Sequence, residues 1–397
     1  MSTLSLSAVL DSFKLTLDLS SRRYDNYDEG YRFGKLALAL QSRFPVSAWL
    51  PRVSLIFHGC IFGCKQPFQK CVGPLDDARK LALRLGDTES AVTCATAHFL
   101  TQLDLVPVPD LLHLIQSYRK TALQYGQELN LFTSQPSLVL LLGLSSRNDG
   151  YFGVLRNETL SEEELRKLKT KHEPVFLWAQ YCRMVLCYLL GNYEKAAFYA
   201  DECRALVDVP NGLGDCAVVL FFDGLVSIAM SRKCAGLKKT MLLCRARKRL
   251  KRIRLLAKHA PFNHLGKVYL LQAELAVSAG SFHEAYPKYT SAVSLARDGG
   301  FYVLTALAME RQAKFLNSCM LQTELSLRCM EEAIAVYQSY GADLKVAQML
   351  HDVERMKKSS PPSHANDHPT DSTLWVVGGG HTKNIPRSYN QLATATI

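Results

Sequence analysis

Apolar residues recur at intervals of three and four along most of this chain, while strict alternation, the mark of a half-buried strand, is scarce. The pattern predicts helices over 31–40, 75–86, 91–104, 110–127, 161–170, 174–190, 193–207, 215–231, 237–258, 265–279, 282–297, 302–317, 323–340 and 342–357. Gly, Pro or Asn stand between these stretches. Such short connections turn each helix back beside the one before it, so the expectation is an all-α stack of antiparallel pairs. Residues 1–30 form an N-terminal extension to the array at 31–357. Beyond Lys358, SSPPSHANDHPTDST opens a flexible Ser/Pro/Gly-containing tail over 358–397.

The stretch GSFHEAYPKYTSAVSLARDGGF at 280–301 carries more than periodicity. Gly280 and Phe282 make a turn, and Ala285, Tyr289 and Ala292 follow at offsets of four and three. Two helices approach closely only where side chains are small, and this is the spacing of the second helix of a tetratricopeptide unit. A second copy has Gly191, Tyr193, Ala196, Ala200 and Cys203. A weaker third copy has Ser326, Met330 and Ala333 but no turn glycine. Ala196, Ala285 and Ser326 lie 89 and 41 residues apart, so the period is near 40 and one unit is degenerate or hidden around residues 238–258. The fold class that follows is an irregular tetratricopeptide-like α-solenoid of antiparallel helix pairs. Ser281 and Glu284 have capping-box spacing. Pro287, beyond the first turn, is expected to kink the helix or delay its start.

The run from Tyr31 to Met356, about four fifths of the chain, resembles the helical region of very large multidomain signalling ATPases. In those proteins a protein-kinase module, a P-loop ATPase of the signal-transduction class, a tetratricopeptide-like array, a GAF domain and a histidine kinase share one chain. The resemblance rests on YRFGKLALAL at 31–40, HAPFNHLGKVYLLQAEL at 259–275, the 280–301 stretch, ALAMERQAKF at 306–315 and EEAIAVYQSYGADLKVAQM at 331–349. It implies a regulatory or interaction array rather than an enzyme, because the catalytic parts of the family have no counterpart here. No GxxxxGK[ST] cradle and no kinase HRD, DFG or Gly-loop set occurs. Gly378, Gly379, Gly380, Thr382 and Lys383 imitate a phosphate loop with the wrong spacing and read as tail.

Composition adds one feature. Between Gly224 and Ala273 stand thirteen Lys or Arg and no Asp or Glu, so this segment contributes +13 to a chain whose total is +11. In KKTMLLCRARKRLKRIRLLAKHA, the stripe Leu243, Ala246, Leu250, Ile253 and Ala257 can pack, while Arg245, Lys248, Arg249 and Arg252 are expected to face outward. A solvated face balancing acidic neighbouring repeats is the leading reading, and these four are the candidates for a partner-binding surface. An acidic protein partner fits the charge. Nucleic acid is the second reading, weakened because no Tyr, Phe or Trp lies between Phe222 and Phe262. Small-molecule ligands and cofactors are not expected.

His58, Cys60, Cys64 and Cys71 form a loose H-x-C-x3-C-x6-C cluster whose spacing fits zinc poorly, and packed thiols are the plainer reading. His172–Glu173 and His283–Glu284 are neighbours whose side chains point about 100° apart on a helix, which argues against acid–base pairs. The twelve cysteines of a long chain read as free thiols in a reducing compartment. The N-terminus lacks a basic n-region, and no apolar run approaches the roughly 20 residues of a membrane span. The expected location is the cytoplasm, with nuclear import through the basic helix as the alternative.

Overall fold

A computed structural model describes residues 27–41, 48–145, 162–207 and 217–359. Among them are sixteen α-helices and no strand. In chain order these are α1 (Tyr27–Gln41), α2 (Leu50–Ile56), α3 (Gln69–Arg84), α4 (Thr88–Gln102), α5 (Val108–Gln124), α6 (Glu128–Ser145), α7 (Glu162–Lys171) and α8 (Glu173–Leu189). There follow α9 (Tyr193–Val207), α10 (Ala217–Ser231), α11 (Gly236–His259), α12 (Pro261–Ser278), α13 (Phe282–Asp298), α14 (Tyr302–Cys319), α15 (Thr323–Tyr340) and α16 (Asp343–Ser359).

All fourteen expected helices are present, and the helix expected at 31–40 begins at Tyr27. Two helices are additional. The short α2 runs on through a π-turn (Phe57–Ile61) and a 3-10 turn (Phe62–Cys64), and α6 fills 128–145. The glycine-rich stretch at 378–383 and most of the expected tail lie outside the described residues, as do residues 1–26.

One device reverses the chain again and again. Gly86, Gly126, Gly191, Gly280, Gly300 and Gly341 adopt φ between 63° and 88° just past a helix end. After each, the next residue donates its amide to the carbonyl five residues back, from Asp87 to Ala82 (2.9 Å) through Ala342 to Tyr337 (3.0 Å). This is the Schellman closure, which satisfies the last carbonyls and leaves the next helix antiparallel. At Ser281 the expected capping box is absent. The Ser281 side chain makes no cap bond, and the Glu284 carboxylate pairs instead with Lys288 at 2.6 Å. Nor does the helix start late, for α13 begins at Phe282 and continues through Pro287 to Asp298.

Helices pack first with their chain neighbours, as α3 with α4, α8 with α9, α10 with α11, α12 with α13 and α14 with α15. The first helices of successive pairs also touch, α8 with α10, α10 with α12 and α12 with α14. The second helices bury their small-residue faces: Ala196, Ala200 and Cys203 in α9, Ala285, Tyr289 and Ala292 in α13, and Ser326, Met330 and Ala333 in α15. Ser326 fits close enough for its hydroxyl to donate to the Ala313 carbonyl at 2.7 Å. The missing unit is α11, where Ala246, Leu250 and Ile253 are buried at the same offsets of four and three.

A stack in which each unit touches only its neighbours is the usual solenoid rule, and this chain breaks it. Residues 27–109 return along the turns that join the later pairs. Asn263, at the α11–α12 turn, donates to the Gly63 and Gln66 carbonyls (2.8 and 2.9 Å) and accepts from the Phe68 amide. Gln69 donates to the Gly299 carbonyl at 2.5 Å. The Asp104 carbonyl and carboxylate take the first amides of α14, from Tyr302 at 2.9 Å and Val303 at 2.5 Å. Tyr340 donates to the Leu103 carbonyl at 2.6 Å, and a Cβ on Gly341 would meet Pro109 at 3.0 Å. The early helices are thus a strap across three successive turns.

A candidate basic interaction surface

Helix α11 meets the rest of the array through Ala246, Leu250, Ile253, Leu256 and Ala257, with Leu243 half-buried at the edge. The expected inner stripe is therefore the real one. Of the four cations expected outside, Lys248 is exposed, and Arg245 and Arg252 are partly so. Arg249 is a correction. It lies about 60° round the helix from Ala246 at 100° per residue, is only 4% exposed, and donates to Asp223 at 2.6 Å. Asp223 also receives Arg204 of α9, so a buried carboxylate is held between two guanidiniums from flanking helices. Burial pulls the Arg204 guanidinium below its ordinary value and Asp223 opposes this, while Arg245 and Arg249 act with burial.

Acidic neighbours neutralise only part of the segment. Arg232 pairs with Glu274 at 2.6 Å, Lys233 with Glu194, and Arg249 with Asp223. Lys238, Lys239, Arg245, Arg247, Lys248, Lys251 and Lys258 have no carboxylate within ion-pair distance among the described residues. All seven are on α11.

The register explains why this helix stands apart. α9 and α13 start three residues before Ala196 and Ala285, whereas α11 starts ten residues before Ala246. The extra seven residues, Gly236 to Leu242, include no buried member. At 1.5 Å per residue they project by about 10 Å. Leu242 is half-buried, whereas Leu237 is left 77% and Met241 58% exposed.

Two other buried carboxylates link helices. Glu274 of α12 is held by Arg311 of α14 (2.8 and 3.0 Å), Arg232 (2.6 Å) and the Tyr289 hydroxyl (2.7 Å). Glu310 of α14 is held by Lys314 (2.5 Å) and by Lys345 of α16 (2.9 Å). Burial alone would raise both carboxyls, but the cations outweigh it and hold each at about 2. Every oxygen has a partner, so these groups tie helices together and leave nothing free for chemistry. Sequence reasoning passed over Glu274 and Glu310, although a lone acid in LLQAELAVS or ALAMERQAKF demands a buried cation.

The His58, Cys60, Cys64 and Cys71 cluster is not brought into one coordination sphere. His58 Nδ1 faces the Ser54 hydroxyl and carbonyl, both at 3.1 Å, and Cys71 is buried in α3 with its thiol pushed up to about 12 by burial and by Cys64. Among the described residues no three His, Cys, Asp or Glu side chains are placed to hold a metal ion. No helix among them is long and apolar enough to cross a membrane.

No protein-family model matches the chain, and no curated protein matches it.

Proposed function

We propose that this chain is a non-catalytic interaction scaffold that engages an acidic protein partner through α11, and that its array shares ancestry with the signal-transduction ATPase and kinase proteins it resembles. One observation carries the reading: seven cations on a single helix have no carboxylate partner among the described residues. A merely solvated face that balances its neighbours would show those neighbours in ion pairs, as Arg232 and Lys233 do. Packed helix pairs with an exposed charged face suit docking, and solenoids commonly serve it.

The test compares proteins co-purifying with the wild type and with Arg245→Glu/Lys248→Glu/Arg252→Glu. Arg249 stays unchanged, because a glutamate there would face buried Asp223 and unfold the site. Loss of specific acidic partners is the expected result, and an unchanged partner set would sink the proposal. Duplex DNA or RNA across a salt series separates the nucleic-acid reading, which requires binding that falls steeply as salt rises.

A further inference from the structure

The outer side of α11 carries a second line of side chains with the spacing of a helix-packing seam. Leu237, Met241, Cys244 and Leu255, with Lys248, Lys251 and Lys258 between and after them, follow one another at alternating intervals of four and three. That 3.5-residue period keeps one line of side chains facing a partner helix over three heptads. The inner seam of the same helix, from Leu243 to Ala257, has this spacing and is already filled by the array. The outer one is exposed at Leu237, Met241, Cys244, Lys248, Lys251 and Lys258, and half-exposed at Leu255. Nothing in the described residues packs over its projecting end.

Resting on the basic-face reading above, we infer that this seam docks one amphipathic, acidic α-helix of a protein partner. Its apolar residues would lie on Leu237, Met241 and Cys244, and its Asp or Glu residues on Lys248, Lys251 and Lys258. Charge complementarity selects the acidic half, since no acidic residue stands anywhere from Gly224 to Ala273. The exposed Leu237 and Met241 on the same line as the lysines select an amphipathic helix over other polyanions. Duplex nucleic acid has no use for exposed leucine and methionine, and a lipid surface would need apolar residues along the whole outer face, where lysines occupy its second half.

The probe is a synthetic three-heptad peptide of about 21 residues, with leucines on one half of its seam and glutamates on the other, titrated onto the full chain by fluorescence anisotropy. Circular dichroism follows peptide helicity. Saturable, salt-sensitive binding with gain of helicity is expected. Leu237→Ser/Met241→Ser and Lys248→Glu/Lys251→Glu, all at exposed positions where an unchanged melting curve is expected and checked, should each weaken it at least tenfold. A peptide with lysines replacing the glutamates should not bind. If only the lysine variant weakens binding, the seam is wrong while the basic-face reading stands; if neither variant does, both fall. Absence of saturable binding overturns the seam, as does equally tight binding of phosphatidylserine vesicles or duplex DNA that the leucine and methionine substitutions leave untouched.

Discussion

Leu321 is the only residue other than glycine with positive φ among the described residues, at 55°. It stands two positions before α15, where Gly86, Gly126, Gly191 and Gly280 stand before their own helices. The weak third repeat thus reverses through a positive φ without glycine, and its closure is one residue longer, with Gln322 donating to the Leu316 carbonyl at 3.0 Å. An L-residue in this region is strained by roughly 1–2 kcal/mol, and glycine recovers part of that at an entropic cost in the unfolded chain. Because the Leu321 side chain is 69% exposed, it contributes little packing. Leu321→Gly is expected to stabilise the protein by about 0.5–1 kcal/mol, read as a higher urea midpoint; a lower midpoint would contradict it. At the same scale, Asp223 was the overlooked signal for Arg249. A single acid inside AVVLFFDGLVSIAM has to find a cation, and the helices on both sides of α10 offer one, Arg204 of α9 and Arg249 of α11.

At the scale of elements, the sequence was legible where a 3.6-residue stripe met glycine punctuation, which is why α13 and α15 match expectation to within a residue. α6 was not. Its run from Pro136 to Leu141 is buried all round, so no stripe exists, and Pro136 itself argues for a break. The unit in α11 stayed hidden because its small residue comes seven positions later than the turn-based pattern requires. The links between elements are polar and lay outside any periodicity. Glu274 joins α12 to α13 and α14, and Glu310 joins α14 to α16. A carboxyl held at about 2 in the fold against an ordinary 4.5 stabilises the fold fully above the ordinary value and loses that stabilisation as pH falls toward 2. Each shift corresponds to about 3 kcal/mol. Urea midpoints measured from pH 5 to pH 2 should fall more steeply for the wild type than for Glu274→Gln/Glu310→Gln, which has no titrating group at either site. Parallel slopes would show that neither carboxyl is held down.

For the described array as one unit, the question is whether its layers unfold independently. Nearest-neighbour repeats do so in principle, since each interface is local. Here Asp104 accepts the first amides of α14, that of Val303 from 199 residues away, Tyr340 and Asn263 bind the same strap, and Gln69 of the strap reaches the Gly299 carbonyl. No repeat pattern encodes such contacts, because each pairs a turn with a distant loop through one side chain or carbonyl. Removing a helix cap costs about 1–2 kcal/mol, so Asp104→Ala should lower the single unfolding transition and speed amide exchange in α14 and α15, far from the substitution in sequence. Burial pushes the Asp104 carboxyl up to about 6 despite Lys267 and the amides of Val303 and Leu304. A folded-state value above the ordinary 3.8 means that this site favours folding when protonated and loses that contribution as pH rises toward 6. Asp104→Asn keeps an acceptor for Val303 and removes the charge, so it should hold wild-type stability or exceed it above pH 6, where Asp104→Ala does not. Faster exchange confined to the α4–α5 loop, or two separate transitions in the wild type, would mean that the strap rests on the array without supporting it.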